Sequence, residues 1–271
     1  MQWWDGRVTI LATRTVGDSG PHVVLLHGLF GQGKNFATIA NRLAATGHRV
    51  TMVDLPNHGH SPWTSSQSYG AMSADVAELL AGFGEQVVLA GHSMGGKAAM
   101  TVALRSPDLL RALVVVDVAP VDYPAERPGS PFARYIAAMR AIDVAALRTR
   151  GEADAALTEA APDASTRGFL LQSLVREGEH WRWRLNLDVL RDSLDGLVRF
   201  PEPAPGAMYD GPVLWIAGAD SSYVRTQDRP RMTALFPQTR LVRIKGAGHW
   251  VHSEQPAVFL DVLTRFVDAL G

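Results

Sequence analysis

The chain has 271 residues, 46% of them hydrophobic and 20% charged, the composition of an ordinary globular protein with a large buried core. With 26 basic and 27 acidic residues the net charge is −1, which provides no long-range field to hold a phosphate backbone, so nucleic-acid binding is not expected. Cysteine is absent, which excludes a disulfide framework, a thiolate nucleophile, an iron–sulfur cluster and a cysteine zinc site. Met1–Gly20 holds no apolar stretch of signal-peptide length, and no run approaches the ~20 apolar residues of a membrane-spanning helix. The expected location is the cytoplasm, with no membrane span.

In chain order, Gln2–Trp4 and Val8–Thr15 read as two strands meeting at the turn-forming pair Asp5-Gly6. A regular alternation follows. Val23–Leu26 is a buried strand ending in His27-Gly28, and Asn35–Ala45 has helical spacing. Arg49–Val53 is a strand that leads into the polar loop Asp54–Pro62. A helix is expected over Ser73–Phe83 with Ser73 as its N-cap, then a strand at Gln86–Ala90, a helix at Met94–Leu104 and a strand at Leu113–Val116. Continuously apolar strands alternating with amphipathic helices imply a mostly parallel sheet with helices on both faces. From Val121 to Pro205 the alternation breaks. Helix-like stretches at Phe132–Arg150, Ala153–Ala160 and Leu187–Leu197 surround the strand-like alternation Trp181-Arg182-Trp183-Arg184-Leu185. Strand and helix then resume at Val213–Ala217, Arg229–Phe236, Leu241–Ile244 and Pro256–Leu270. The expected organisation is an α/β core, 1–120 and 206–271, interrupted by a mostly helical cap, 121–205, with Pro201–Pro205 as the return linker.

Gly91-His92-Ser93-Met94-Gly95 fits G-x-S-x-G where a strand turns into a helix. A strained turn of that kind lifts a serine hydroxyl to the C-terminal edge of a sheet, and the helix N-terminus offers N–H groups to a developing negative charge. The plainer alternative is a glycine-rich turn with an incidental serine. Gly246-Ala247-Gly248-His249 follows the last strand, so His249 is placed to reach that edge as a general base. Among the other histidines, His252 reads as a local structural contact, His92 points away from the nucleophile, and His58 and His60 belong to a polar loop. None makes a metal-ligand pattern such as H-E-x-x-H, so no metal site is expected.

Strand-His27-Gly28, the loop Asp54…Asn57-His58-Gly59…Ser61-Pro62, the Ser93 elbow and the terminal Gly246-x-Gly248-His249 together resemble the α/β-hydrolase superfamily, over essentially the whole chain. Gly91–Ala98, Asp117-Val118-Ala119-Pro120-Val121-Asp122-Tyr123 and Gly248-His249-Trp250-Val251-His252 are similar to one small-acyl esterase subfamily. That subfamily includes bacterial short-chain esterases and mitochondrial abhydrolase-domain proteins. Pro56 is a departure, standing where such loops more often carry Arg. The resemblance implies an α/β-hydrolase fold with a helical cap, no cofactor, and a small-molecule acyl ester as substrate. Ser93 is then the nucleophile and His249 its base, with the Leu29 and Met94 N–H groups as oxyanion donors.

The acid has two candidates. The superfamily usually places it in a Gly-x-x-Asp turn after the insertion, but Gly218-Ala219-Asp220-Ser221 has Asp220 one residue early. Asp117 ends a buried strand at the edge where α/β sheets bind ligands and keeps the order Ser…Asp…His. The subfamily likewise carries its acid on that earlier strand, assisted by a serine at the later turn. Asp117 is therefore preferred, with Ser221 as auxiliary partner and Asp220 as the alternative. Phe30, Tyr123, Trp183, Tyr223 and Trp250 are candidate substrate-binding walls; ordinary core packing explains Tyr123, Tyr223 and Trp250 equally well and is the preferred reading of Trp183. Lys97 reads as a packed or solvated helix lysine, and Arg225–Arg231 as a solvated face. The expected activity is hydrolysis of short- to medium-chain acyl esters through an acyl-enzyme. Acyl transfer or thioester hydrolysis with the same triad, and a ligand-binding protein without turnover, stand as alternatives. The oligomeric state is not legible.

Overall fold

The computed structural model describes residues 9–123 and 131–271. The strands of the main sheet begin with β1 (Thr13–Val16), β2 (His22–Leu26), β3 (Arg49–Val53), β4 (Val87–His92) and β5 (Leu110–Val116). After an insertion that carries a hairpin, β6 (Leu174–Glu177) and β7 (His180–Trp183), the sheet is completed by β8 (Val213–Gly218) and β9 (Thr239–Ile244). The order across the sheet is β1-β3-β2-β4-β5-β8-β9. Only β1 runs antiparallel, pairing Thr13 with Val53; the other neighbours are parallel. This is the α/β-hydrolase fold expected from the sequence.

Alternation along each strand explains the layering. Side chains with period two divide between the faces, so Val23 and Leu25 of β2 join one apolar cluster and Val24 and Leu26 the other. The first face is covered by α1 (Ala37–Ala45) through Ile39 and Leu43, and the second by α2 (Tyr69–Ala81) and α3 (Met94–Arg105). The insertion contributes α4 (Phe132–Ala141), α5 (Arg150–Ala156), α6 (Ala164–Leu171) and α7 (Leu187–Leu197), and its apolar residues merge with the second cluster. Then come α8 (Arg229–Leu235), α9 (Val251–Glu254) and α10 (Pro256–Asp268), the last covering the first face through Phe259 and Leu263. Among the described residues no helix is long and apolar enough to cross a membrane.

Several elements differ from the expectation. The helix expected from Ser73 starts at Tyr69, because Ser68 is the N-cap and its hydroxyl accepts from Ala71 N–H. Tyr69, Met72, Val76 and Leu80 then share its buried face, and Ser73 lies inside, bonded to the Gly70 carbonyl. The stretch Phe132–Arg150 is helical only over Phe132–Ala141, and the next helix begins at Arg150. Asp143 Oδ1 accepts from Ala145 and Ala146 N–H, a side-chain turn that competes with helix, and Thr149 caps the next start. The helix α6, capped by Asp163, and the strand β6 are additions. β6 is what the strand-like Trp181–Leu185 pairs with, Leu174 opposite Trp183. Near the start, Thr9 and Ala12 donate to Asp75 and Ser61 side chains rather than to a ladder, so the strand is Thr13–Val16. The strand Gln2–Trp4 and its Asp5-Gly6 turn lie outside the described residues.

Candidate active site

Ser93 joins β4 to α3 with φ 53° and ψ −116°, a conformation rare for a residue with a Cβ. The turn closes because its neighbours have no side chain. A Cβ on Gly91 would stand 2.2 Å from the Gly95 carbonyl oxygen, and one on Gly95 would stand 2.5 Å from that of His27. Ser93 N–H donates to Val116 O, which fixes the turn against β5.

His249, in the loop between β9 and α9, stands with Nε2 3.0 Å from Ser93 Oγ and Nδ1 2.8 Å from Asp117 Oδ2. A carboxylate only accepts, so Nδ1 carries the proton toward Asp117 and Nε2 is left to accept from the serine hydroxyl. Asp117 sits just past β5, wholly buried, at φ 49°. Its Oδ1 accepts from Gly218 N–H at 3.0 Å, and its Oδ2 also accepts from Ser221 Oγ at 2.5 Å. Tyr223 N–H in turn donates to Ser221 Oγ. Asp220, the other candidate acid, is exposed, and its backbone N–H donates to Ala247 O. Of the two carboxylates the fold brings Asp117 to the imidazole.

Two contacts on His249 were not legible in the sequence. The Tyr223 ring stacks on the imidazole at 4.1 Å and 25°. His92, read as pointing away, turns from the serine but donates through Nε2 to the His249 carbonyl at 2.8 Å, which holds the loop in place. Burial and the neighbouring histidines keep His92 well below the ordinary imidazole pKa, so it serves as a neutral donor.

The loop after β2 is set by His27. Its Nδ1–H donates to Gly28 O, while its Nε2 accepts from Leu55 N–H. Gly31 N–H reaches the same Gly28 carbonyl. A trans peptide points its N–H opposite its C=O, so pinning the Gly28 carbonyl turns Leu29 N–H the other way. A Cβ on Gly28 would come within 3.2 Å of Ser93 Cβ, which places this peptide against the serine. Met94 opens α3, where an N–H has no carbonyl one turn back. These are the two donors proposed from the sequence. The Asp54 loop anchors the insertion through Asn57, whose carbonyl and side chain accept from Asn186. Burial pushes the Asp54 carboxyl up, but N–H donors from His60 and Gly33, with His27 nearby, hold it below the usual range.

Two small cavities open from Ser93. One of about 40 Å³ is walled by Met94, Val118, Tyr123, Phe132, Leu194 and Tyr223, among others. The other, about 20 Å³, is walled by Phe30, Tyr135, Phe169, His249 and Trp250. Tyr123 and Tyr223 line the larger cavity, and Phe30 and Trp250 the smaller. Trp183 lines neither cavity: it is 8% exposed and packed in the apolar core. Alternation in β7 turns it inward. The insertion residues Phe132, Phe169 and Leu194 were missed, since nothing in an irregular segment marks which apolar residues face the serine.

Of the two readings of Lys97, packed or solvated, the structure shows the packed one, as a buried clamp. It is 2% exposed, and its ammonium donates to the carbonyls of Val121, Val198 and Arg199 at 3.1, 2.9 and 2.8 Å. It also lies 4.6 Å over the Tyr123 ring. Burial pulls its pKa down to about 7 against the pull of Asp122. One cation thereby ties the chain leaving the sheet to the chain returning from α7.

A strained serine between a parallel strand and a helix, with a histidine and a buried carboxylate from later loops, defines the α/β-hydrolase class. The family described as alpha/beta hydrolase fold matches residues 21–256, and the chain belongs to it. It is 43% identical over 253 residues to the mouse (Mus musculus) sn-1-specific diacylglycerol lipase ABHD11, covering 91% of this chain and 81% of that protein. It is 38% identical over 247 residues to the esterase YbfF of Escherichia coli, covering 91% and 92%. Among solved structures, a marine microorganism esterase superposes with a TM-score of 0.91 at 34% identity, covering 95% of this chain and 99% of that one. The chain is a hydrolytic enzyme of this family, related to esterases and lipases.

Proposed function

We propose that the chain is a serine esterase that cleaves short- to medium-chain acyl esters through an acyl-enzyme. The observation that carries the reading is the unbroken line from Ser93 Oγ through His249 to Asp117 Oδ2, opening on an apolar cavity of about 40 Å³. Ser93 Oγ attacks the acyl carbonyl as its proton passes to His249 Nε2. Leu29 and Met94 N–H groups hold the oxyanion, Asp117 stabilises the imidazolium, and Ser221 keeps the carboxylate oriented. The tetrahedral intermediate collapses with loss of the alcohol, which takes its proton from His249. Water, deprotonated by the same imidazole, then releases the acid and restores Ser93. The insertion acts as a cap, residues 121–205, that closes the acyl cavity with Phe132 and Leu194.

The cavity has room for a few carbon atoms beyond the carbonyl, which favours short acyl groups. The test is the initial rate on p-nitrophenyl esters from acetate to laurate, with Ser93→Ala alongside. The expected profile peaks at short chains and vanishes in the variant. Turnover that persists without the Ser93 hydroxyl would overturn the mechanism, and a maximum at laurate would overturn the chain-length assignment.

A further inference from the structure

The two cavities at Ser93 are not equivalent. His249 lines the smaller and not the larger. The imidazole must protonate the departing atom, so the leaving group lies on its side and the acyl chain in the other cavity. The leaving-group side continues outward: Thr166, Phe169 and Trp250 are walls both of that cavity and of a groove of about 1400 Å³.

The charge in this groove is unbalanced. Arg14, Lys34, Arg150, Arg176 and Arg184 line it, against Asp163 and Glu254. Both carboxylates are engaged by backbone: Asp163 accepts from Thr166 N–H, and Glu254 from Gly248 and Trp250 N–H. None of the five cations makes an ion pair with a described carboxylate. Arg150 donates to the Leu171 carbonyl, and Arg176 lies 6.0 Å over the Trp181 ring. Arginines elsewhere divide between ion pairs, such as Arg140–Asp188, Arg225–Asp228 and Arg265–Asp261, and bonds to carbonyls, such as Arg243 to Val224. In a chain of net charge −1, five cations gather around one groove against two carboxylates already engaged by backbone, at the exit of one side of the active site.

We propose that this groove receives a phosphate-type anion carried by the leaving group, so that the preferred substrate is an acyl ester or thioester whose alcohol or thiol bears a phosphate. The proposal rests on the ester-hydrolase reading and adds the chemistry of the departing half. Guanidinium groups match phosphate oxygens bidentately, and a groove lined by one sign of charge concentrates an oppositely charged substrate. Hydrolysis consumes one water and releases a carboxylic acid and the phosphorylated alcohol or thiol, with no other reactant.

The test compares para-(phosphonomethyl)phenyl butyrate with para-(hydroxymethyl)phenyl butyrate, and the same pair as S-butyryl thioesters. At low salt, kcat/KM for the phosphonate is expected to exceed that for the neutral partner by about tenfold or more, the lower end of electrostatic steering. The ratio should collapse toward one in Arg14→Glu/Lys34→Glu/Arg176→Glu, three exposed positions, and in high salt, where the Debye length falls to about 4 Å. A preference confined to the thioester pair assigns the anion to a thiol, one confined to the oxygen esters assigns it to an alcohol, and one in both assigns it to either. A ratio at or below one in both pairs overturns the proposal, as does a ratio that survives the triple variant. Because the readout is a ratio, a partial folding defect moves it in neither direction. Ser93-dependent turnover of the neutral ester meanwhile carries the hydrolase reading by itself, and its absence in both pairs sinks that reading and this one together.

Discussion

Asp117→Asn isolates the role of the acid, because the surroundings dictate how the amide must sit. In the native site Oδ1 accepts from Gly218 N–H and Oδ2 from His249 Nδ1–H and Ser221 Oγ–H. Gly218 N–H is a backbone donor and cannot reverse, so the amide oxygen must take its side and the NH2 must face the histidine. An NH2 donates to Nδ1, which forces the imidazole proton onto Nε2. The base then presents N–H to a serine hydroxyl it should deprotonate. A wrong tautomer of this kind lowers turnover by about 10⁴, or about 5 kcal/mol of transition-state stabilisation. The assay is kcat/KM on p-nitrophenyl butyrate with the melting temperature measured in parallel, and Asp220→Asn as comparison, expected within about threefold of native because its carboxylate is exposed. A loss below tenfold in Asp117→Asn, or an equal loss in Asp220→Asn, would refute the tautomer argument.

Ser221→Ala removes one hydrogen bond to the charged Asp117 while leaving the other two in place. A bond of that type contributes about 1.5–3 kcal/mol, so kcat should fall by about 10- to 150-fold, with KM little changed; an unaltered kcat would remove Ser221 from the machinery. Lys97→Met leaves three buried carbonyls without their donor and should destabilise the fold by about 3–5 kcal/mol. Differential scanning calorimetry should show Tm lower by roughly 6–15 °C, and an unchanged Tm would contradict the clamp. Burial holds His58 at about 3, with His27 adding to the effect, and burial and His249 hold His252 at about 4. Unfolded histidine titrates near 6.5, so between these values the unfolded chain binds more protons and stability is lost as the pH is lowered. The loss is about 1.4 kcal/mol per pH unit per histidine, or about 2 kcal/mol each at pH 5. Urea midpoints at pH 7 and 5 measure it; equal midpoints would show that these rings are not buried neutral.

What the sequence determined alone is local in origin. Continuously apolar strands such as Val23–Leu26 and Val87–Ala90 report a sheet buried on both faces, whatever lies above it. The glycines around Ser93 report a turn too tight for a Cβ, and the chain order of Ser93, Asp117 and His249 places all three at strand ends. Loops at one edge of a parallel sheet must converge, so the meeting of Ser93 and His249 could be expected before any coordinate. The tertiary structure decided what depends on direction or on distant partners. Asp117 and Asp220 both end buried strands' turns, and only the twist of the chain after β8 sends Asp220 to solvent and Ser221 inward. Trp183 alternates like a wall residue, yet its outcome is set by β6, a strand that periodicity does not reveal in four residues. Lys97 has the helical spacing of any surface lysine. Its burial comes from carbonyls 24 and about a hundred residues away, exposed by the ends of an insertion whose return path no local pattern encodes. The basic groove is of the same kind, since Arg14, Lys34 and Arg176 are separate surface residues until the insertion folds down beside β1 and the loop after β2.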